Sequence, residues 1–90
     1  MKAERIQSQL IKSPGWKTIK KGKAITRTFT LPNFRSALAF VQYVGELAEA
    51  ANHHPNIDIR YNKVTLELST HDRGGLTTKD FDLAKAIDSR

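Results

Sequence analysis

Between Asn56 and Thr70 apolar and polar residues alternate with a period of two, and the alternation breaks once, at Tyr61-Asn62. Successive side chains on a strand point to opposite faces, so the pattern specifies a hairpin with Ile57, Ile59, Val64, Leu66 and Leu68 on one apolar face. It also restricts the register. With the turn at Tyr61-Asn62, Arg60 faces Lys63, Ile59 faces Val64 and Ile57 faces Leu66. A turn at Asn62-Lys63 keeps the apolar residues together as well. A register midway between the two sets Ile59 against Thr65, which a hairpin buried on one face does not allow. Such a face needs a cover, and the rest of the chain must supply it.

Asn33 is a candidate helix N-cap, because its side-chain oxygen can accept from the free N–H groups of the first turn. Phe34, Ala37, Leu38, Val41, Val44, Ala48 and Ala51 follow at helical intervals, widened by Phe40 and Leu47. This helix is expected to run to about Asn52, ahead of Pro55. Ala3, Ile6 and Leu10 suit a short amphipathic helix over Lys2–Lys12, ended by Ser13-Pro14-Gly15. Trp16–Lys20 and Ala24–Leu31 read as a first hairpin around Lys21-Gly22-Lys23, with Ile25, Arg27 and Phe29 on one side of the second strand and Thr26, Thr28 and Thr30 on the other. After Gly74-Gly75, Thr77 with Asp80 three residues on forms a capping-box pattern, and a last helix buries Phe81, Ala84 and Ile87. The order α-β-β-α-β-β-α defines an α+β domain, a four-stranded antiparallel sheet with helices packed on one face.

Ninety residues make one domain, spanning 1–90, whose core is small for its surface, so a homo-oligomer is expected. The absence of cysteine removes disulfides, thiolate metal sites and cysteine nucleophiles. No apolar run reaches the roughly 18–20 residues of a membrane span, and Met1–Lys12 lacks a signal-peptide hydrophobic region, so the expected location is the cytoplasm. The net charge of +6 is crowded into the first part of the chain, at Lys12, Lys17, Lys20, Lys21, Lys23, Arg27 and Arg35. A lysine-rich, solvated hairpin accounts for this charge, and nucleic acid is not the expected partner.

The chain has three histidines, and the second hairpin fixes where they fall. Continuing either hairpin register past Pro55 brings His54 beside Ser69 or opposite His71, and His53 beside Thr70. His53, His54 and His71 should therefore meet where the two arms of the hairpin open. Glu49 precedes His53 by four residues, the spacing at which helix side chains become neighbours, and is expected to orient that ring. Imidazole titrates near neutrality, so such a group suits proton transfer.

Glu49, His53-His54-Pro55, Tyr61, His71 and Asp80 resemble, in order and spacing, the signature of the pterin-4a-carbinolamine dehydratases. Gly15-Trp16, Tyr61-Asn62-Lys63-Val64, Ser69-Thr70-His71 and Gly75-Leu76 extend the likeness along essentially the whole chain. Asn52 departs from it where some members carry aspartate, and Asn56-Ile57 replaces a common Glu-Trp. The resemblance implies dehydration of 4a-hydroxytetrahydropterin to quinonoid dihydropterin, recycling the pterin product of aromatic amino acid hydroxylases, with no metal or organic cofactor. It implies a homodimer or homotetramer and, in some animal members, a second role as dimerisation cofactor of a homeodomain transcription factor. The family's catalytic histidines carry over onto His53, His54 and His71, and its substrate-contacting segments onto Asn52–His54 (Asn52, His53, His54) and Ser69–Asp72 (Ser69, Thr70, His71, Asp72).

Within that scheme His53 is the leading general acid, His71 a second acid–base group, and His54 a residue that binds and orients the pterin. Trp16 is a candidate for stacking on the flat ring, with a core or interface position as the alternative. Zinc on the three histidines is a rival reading, made awkward by the opposite directions of adjacent side chains on an extended chain. A second rival is a protein- or nucleic-acid-binding module on the same fold, which for RNA needs exposed aromatics on the central strands.

Overall fold

A computed structural model describes residues 1–90. Helix α1 (Ala3–Ile11) leads to strands β1 (Lys17–Ile19) and β2 (Ala24–Thr30), then to helix α2 (Phe34–Ala51). Strands β3 (Asn56–Arg60) and β4 (Lys63–Leu68), a 3-10 turn over His71–Arg73, and helix α3 (Thr78–Asp88) complete the chain. Apart from the added turn, this is the expected element order. The sheet is antiparallel throughout, in the order β1-β2-β4-β3. The second hairpin takes the Tyr61-Asn62 register: Arg60 pairs with Lys63, Ile59 with Val64 and Ile57 with Leu66.

One face of β2 and β4 forms the floor of the core. Ile25, Phe29, Val64, Leu66 and Leu68 are buried there beneath Ala37, Phe40 and Val44 of α2 and Phe81, Ala84 and Ile87 of α3. The other face carries Thr26, Thr28, Thr65 and Glu67, tied by a 2.8 Å hydrogen bond between the Thr28 and Thr65 hydroxyls and a 2.6 Å pair between Lys20 and Glu67. No aromatic side chain stands on it, so a base-stacking platform of the RNA-binding kind is missing.

Local chemistry sets the helix ends that matter for function. The Asn33 side chain accepts from the Ser36 N–H at 2.8 Å and starts α2. At the other end Asn52 is left-handed, with φ 50° and ψ 43°. Its N–H donates to the Glu49 carbonyl, and the His53 N–H donates five residues back to Ala48, the paired bonds of a Schellman motif. Asparagine tolerates this conformation better than most residues.

Trp16 takes the core position of its two sequence readings, and the expected apolar stripe of α2 needs correction. Trp16 is 5 % exposed, meets Phe29 edge-on, and donates its indole N–H to Asp88 at 2.9 Å. It is a core residue whose ring and polar atom are already engaged, and it offers no face to a substrate. The apolar stripe of α2 is also narrower than its periodicity indicates: Phe34 and Leu38 are 46 % and 49 % exposed, and Ala51 is exposed too. Phe34 instead stacks on the exposed Tyr61, with ring centroids 6.5 Å apart.

Candidate active site

The Schellman turn sends the chain out of α2 so that the His53 side chain points toward α3 rather than back along its own helix. Its Nε2 lies 2.6 Å from Oδ1 of Asp80, and the ring is only 12 % exposed. Asp80 is 0 % exposed. Its other oxygen accepts from the Thr70 hydroxyl at 2.9 Å and from the Thr77 N–H at 3.0 Å, the latter being one half of the capping box that starts α3. Because the Thr70 hydrogen is committed to Asp80, the Thr77 hydroxyl donates to Thr70 at 2.9 Å and accepts from the Lys79 N–H at 3.3 Å.

This network decides how His53 can act. A carboxylate oxygen accepts, so Nε2 carries the hydrogen that faces Asp80, and Nδ1 is the ring atom left to take or release a proton. A buried carboxylate behind an imidazole fixes the ring's orientation and its tautomer. The three donors on Asp80 offset the cost of burying it, since an unpaired carboxylate in the interior loses its hydration with no return.

The partner expected for His53 is therefore wrong. Glu49 lies 2.5 Å from Nε2 of His54, five residues on, and both groups are largely exposed, at 76 % and 56 % of their side chains. The four-residue spacing applies only while the helix continues, and α2 ends between the two residues. An ion pair this exposed contributes little stability.

His71 sits in the 3-10 turn, with Nε2 3.5 Å from the Ser69 hydroxyl, at the limit of a hydrogen bond. The histidines do not form one tight cluster. His53 lines a cleft between α2 and α3 with Leu47, Ala50, Lys79 and Leu83, whereas His71 lines a separate cavity with Lys20, Lys23 and Gly75. What joins them is Asp80, which holds His53 on one oxygen and, on the other, Thr70, the residue before His71. Of the other substrate-segment residues, Asn52 forms the helix-ending turn, Ser69 borders the His71 cavity, Thr70 is buried in the Asp80 network, and Asp72 is exposed. No three His, Asp or Glu side chains are grouped closely enough to ligate a metal ion.

The site is thus a buried carboxylate behind a histidine, between a helix end and the opening of a hairpin, in a small α+β domain. The family model described as pterin 4 alpha carbinolamine dehydratase matches residues 1–90. The chain belongs to that family, and it is a dehydratase of the hydro-lyase type. It is 60 % identical over 83 residues to a protein of Roseiflexus castenholzii and 54 % identical over 83 residues to one of Picosynechococcus, both named "Putative pterin-4-alpha-carbinolamine dehydratase". The alignments cover 92 % of this chain in each case, and 87 % and 88 % of the relatives. Among solved structures, the transcriptional coactivator/pterin dehydratase from Brucella melitensis superposes with a TM-score of 0.94 at 29 % identity, over 99 % of this chain and 95 % of that one. A pterin dehydratase-like protein described as a RuBisCO assembly factor in the alpha-carboxysome superposes with a TM-score of 0.71 at 21 % identity, over 84 % of this chain and 88 % of that one, and shares the fold. No helix is long and apolar enough to cross a membrane.

Proposed function

We propose that the chain dehydrates 4a-hydroxytetrahydropterin to quinonoid dihydropterin by histidine acid–base catalysis and so recycles a tetrahydropterin cofactor. The observation that carries this reading is the 2.6 Å contact between His53 and the fully buried Asp80. In the reaction the C4a–O bond breaks, and hydroxide leaves only once a proton reaches it. The adjacent ring nitrogen supplies the electron pair for the new C=N bond and gives up its own proton. One acid and one base near neutrality complete the balance, releasing water and regenerating both groups. His53 is assigned as the leading acid, with Asp80 in place of Glu49 as its positioning residue. His71 is assigned as the second acid–base group, and the exposed His54, steadied by Glu49, as a pterin contact. The direct test is a stopped-flow assay with synthetic carbinolamine. The expected result is formation of the quinonoid product well above the spontaneous rate; a rate equal to the buffer control sinks the assignment.

Association into a homo-oligomer belongs to the same proposal. Strand β3 is an edge strand exposed along its whole length, with Ile57 and Ile59 at 40 % and 36 % exposure, and Phe34, Leu38 and Tyr61 add further exposed apolar surface. An open edge with apolar side chains readily accepts another strand, and a second copy of this chain supplies one. Sedimentation should give a dimer or larger species, which Ile59→Lys dissociates. A wild-type monomer at micromolar concentration contradicts this. The second reading, a protein-binding module, draws on the same surface and on the likeness to the Brucella protein described as a transcriptional coactivator; it predicts that a foreign protein, not a second copy, covers the edge.

A further inference from the structure

The cavity that holds His71 is about 260 Å³ in volume and is walled by Lys20, Lys23, Ser69, His71, Gly74 and Gly75. No carboxylate lines it. Its two lysines flank the β1–β2 turn, where Lys20, Lys21 and Gly22 are all left-handed, with φ of 54°, 58° and 81°. They differ in state. Lys20 is held by Glu67 at 2.6 Å, whereas Lys23 takes part in none of the chain's ion pairs. The stem of Lys23 runs along Gly75, whose missing side chain would meet Lys23 Cγ at 3.6 Å. Lys23 thus lines, together with a candidate acid–base histidine, a cavity to which it brings a positive charge that no ion pair of the chain engages.

We infer that this cavity selects pterins whose C6 side chain carries an anion, a phosphate ester or a carboxylate, with Lys23 as the specificity-determining residue. The inference rests on the dehydratase reading above and adds the substrate class. On that reading a pterin in contact with His71 has this cavity open to its C6 substituent, the part that differs between pterins. A neutral hydroxyalkyl chain leaves Lys23 without a counter-charge. An anionic chain supplies one, as a charge-assisted hydrogen bond that is stronger than a neutral one. The bland alternative is that Lys23 is one more solubilising lysine, in which case charge on the side chain makes no difference.

The test compares kcat/KM for three carbinolamines: one with a neutral hydroxyalkyl side chain, its phosphate ester, and one with a glutamate-conjugated side chain. At least one anionic substrate is expected to exceed the neutral one about tenfold at low salt, the size of one charge-assisted hydrogen bond. Whichever anion gains identifies the source of the charge. Lys23→Ala should bring the ratio close to one, and Lys23→Arg should preserve it; Lys23 is exposed at a turn, so neither change threatens folding. Raising the ionic strength should lower the ratio as well. Turnover of the neutral substrate with equal or lower kcat/KM for both anions overturns the inference and leaves the dehydratase reading standing. So does a preference that Lys23→Ala leaves intact. Absence of turnover on all three substrates overturns the dehydratase reading, and the inference with it.

Discussion

Replacing His53 by glutamine should lower kcat for carbinolamine dehydration about 10²–10⁴-fold, the usual contribution of one positioned general acid–base group. Glutamine keeps an amide N–H that can serve the Asp80 carboxylate, so the fold survives while the titratable nitrogen is lost. His53→Ala removes the same nitrogen but leaves a buried carboxylate short of a donor, and its loss of activity mixes chemistry with instability. The pair of variants therefore separates the two effects. Equilibrium urea unfolding should show His53→Gln close to the wild type and His53→Ala clearly weaker. A folded His53→Gln protein with wild-type kcat would remove His53 from the mechanism.

The second large effect is expected at Asp80. Asp80→Ala strips a fully buried acceptor from three donors, His53 Nε2, the Thr70 hydroxyl and the Thr77 N–H. Removing one partner of a buried pair typically costs about 3–5 kcal/mol. In a small domain with a limited core that is a large share of the total stability. Asp80→Asn is the more informative change. The amide offers one oxygen where two are needed, and its NH2 must face either the imidazole N–H or the Thr70 and Thr77 donors. Stability should fall by about 1–3 kcal/mol, the cost of a buried polar group left unmatched. If Asp80 acts through His53, as proposed, kcat should fall with little change in KM. A fall in stability alone, with kcat untouched, would make Asp80 a capping residue and nothing more.

That last outcome was the natural reading of the sequence at this position, and the contrast shows where sequence ends. Thr77 with Asp80 three residues on is a local pattern, and the capping box it describes is present. The second oxygen of Asp80 is spent on a residue 27 positions away. No periodicity or spacing encodes that contact, because it depends on how α2 and α3 pack. The hairpin register was legible for the opposite reason: alternation over β3 and β4 acts between neighbours in the chain, and a one-residue slip exposes every apolar side chain.

The error over Glu49 is instructive in the same way. A spacing of four makes neighbours only inside a helix. With Asn52 in the left-handed region, the chain leaves α2 at once, His53 turns to α3, and His54 becomes the neighbour of Glu49. Trp16 was undetermined in sequence because an indole serves a core and a ligand equally well. Its burial follows from its place just ahead of the edge strand β1, where the indole meets Asp88 at the end of α3, a contact across 72 positions. Phe34 and Leu38 show the converse limit: helical periodicity marks an apolar stripe without saying which part of it the same chain covers. The convergence of three histidines, read from strand register, was only half right. Two of them flank one carboxylate network, and each opens on its own cavity.

In the proposed mechanism His53 and Asp80 work as one unit, the carboxylate aiming the ring that moves the proton. The decisive measurement is kcat of the double variant His53→Gln/Asp80→Asn beside the two single variants. Groups that act together are not additive, so the double variant should be no slower than His53→Gln alone, within about twofold. Losses that multiply, giving a double variant slower by the full product of the two single effects, would show that Asp80 serves catalysis by some route other than His53.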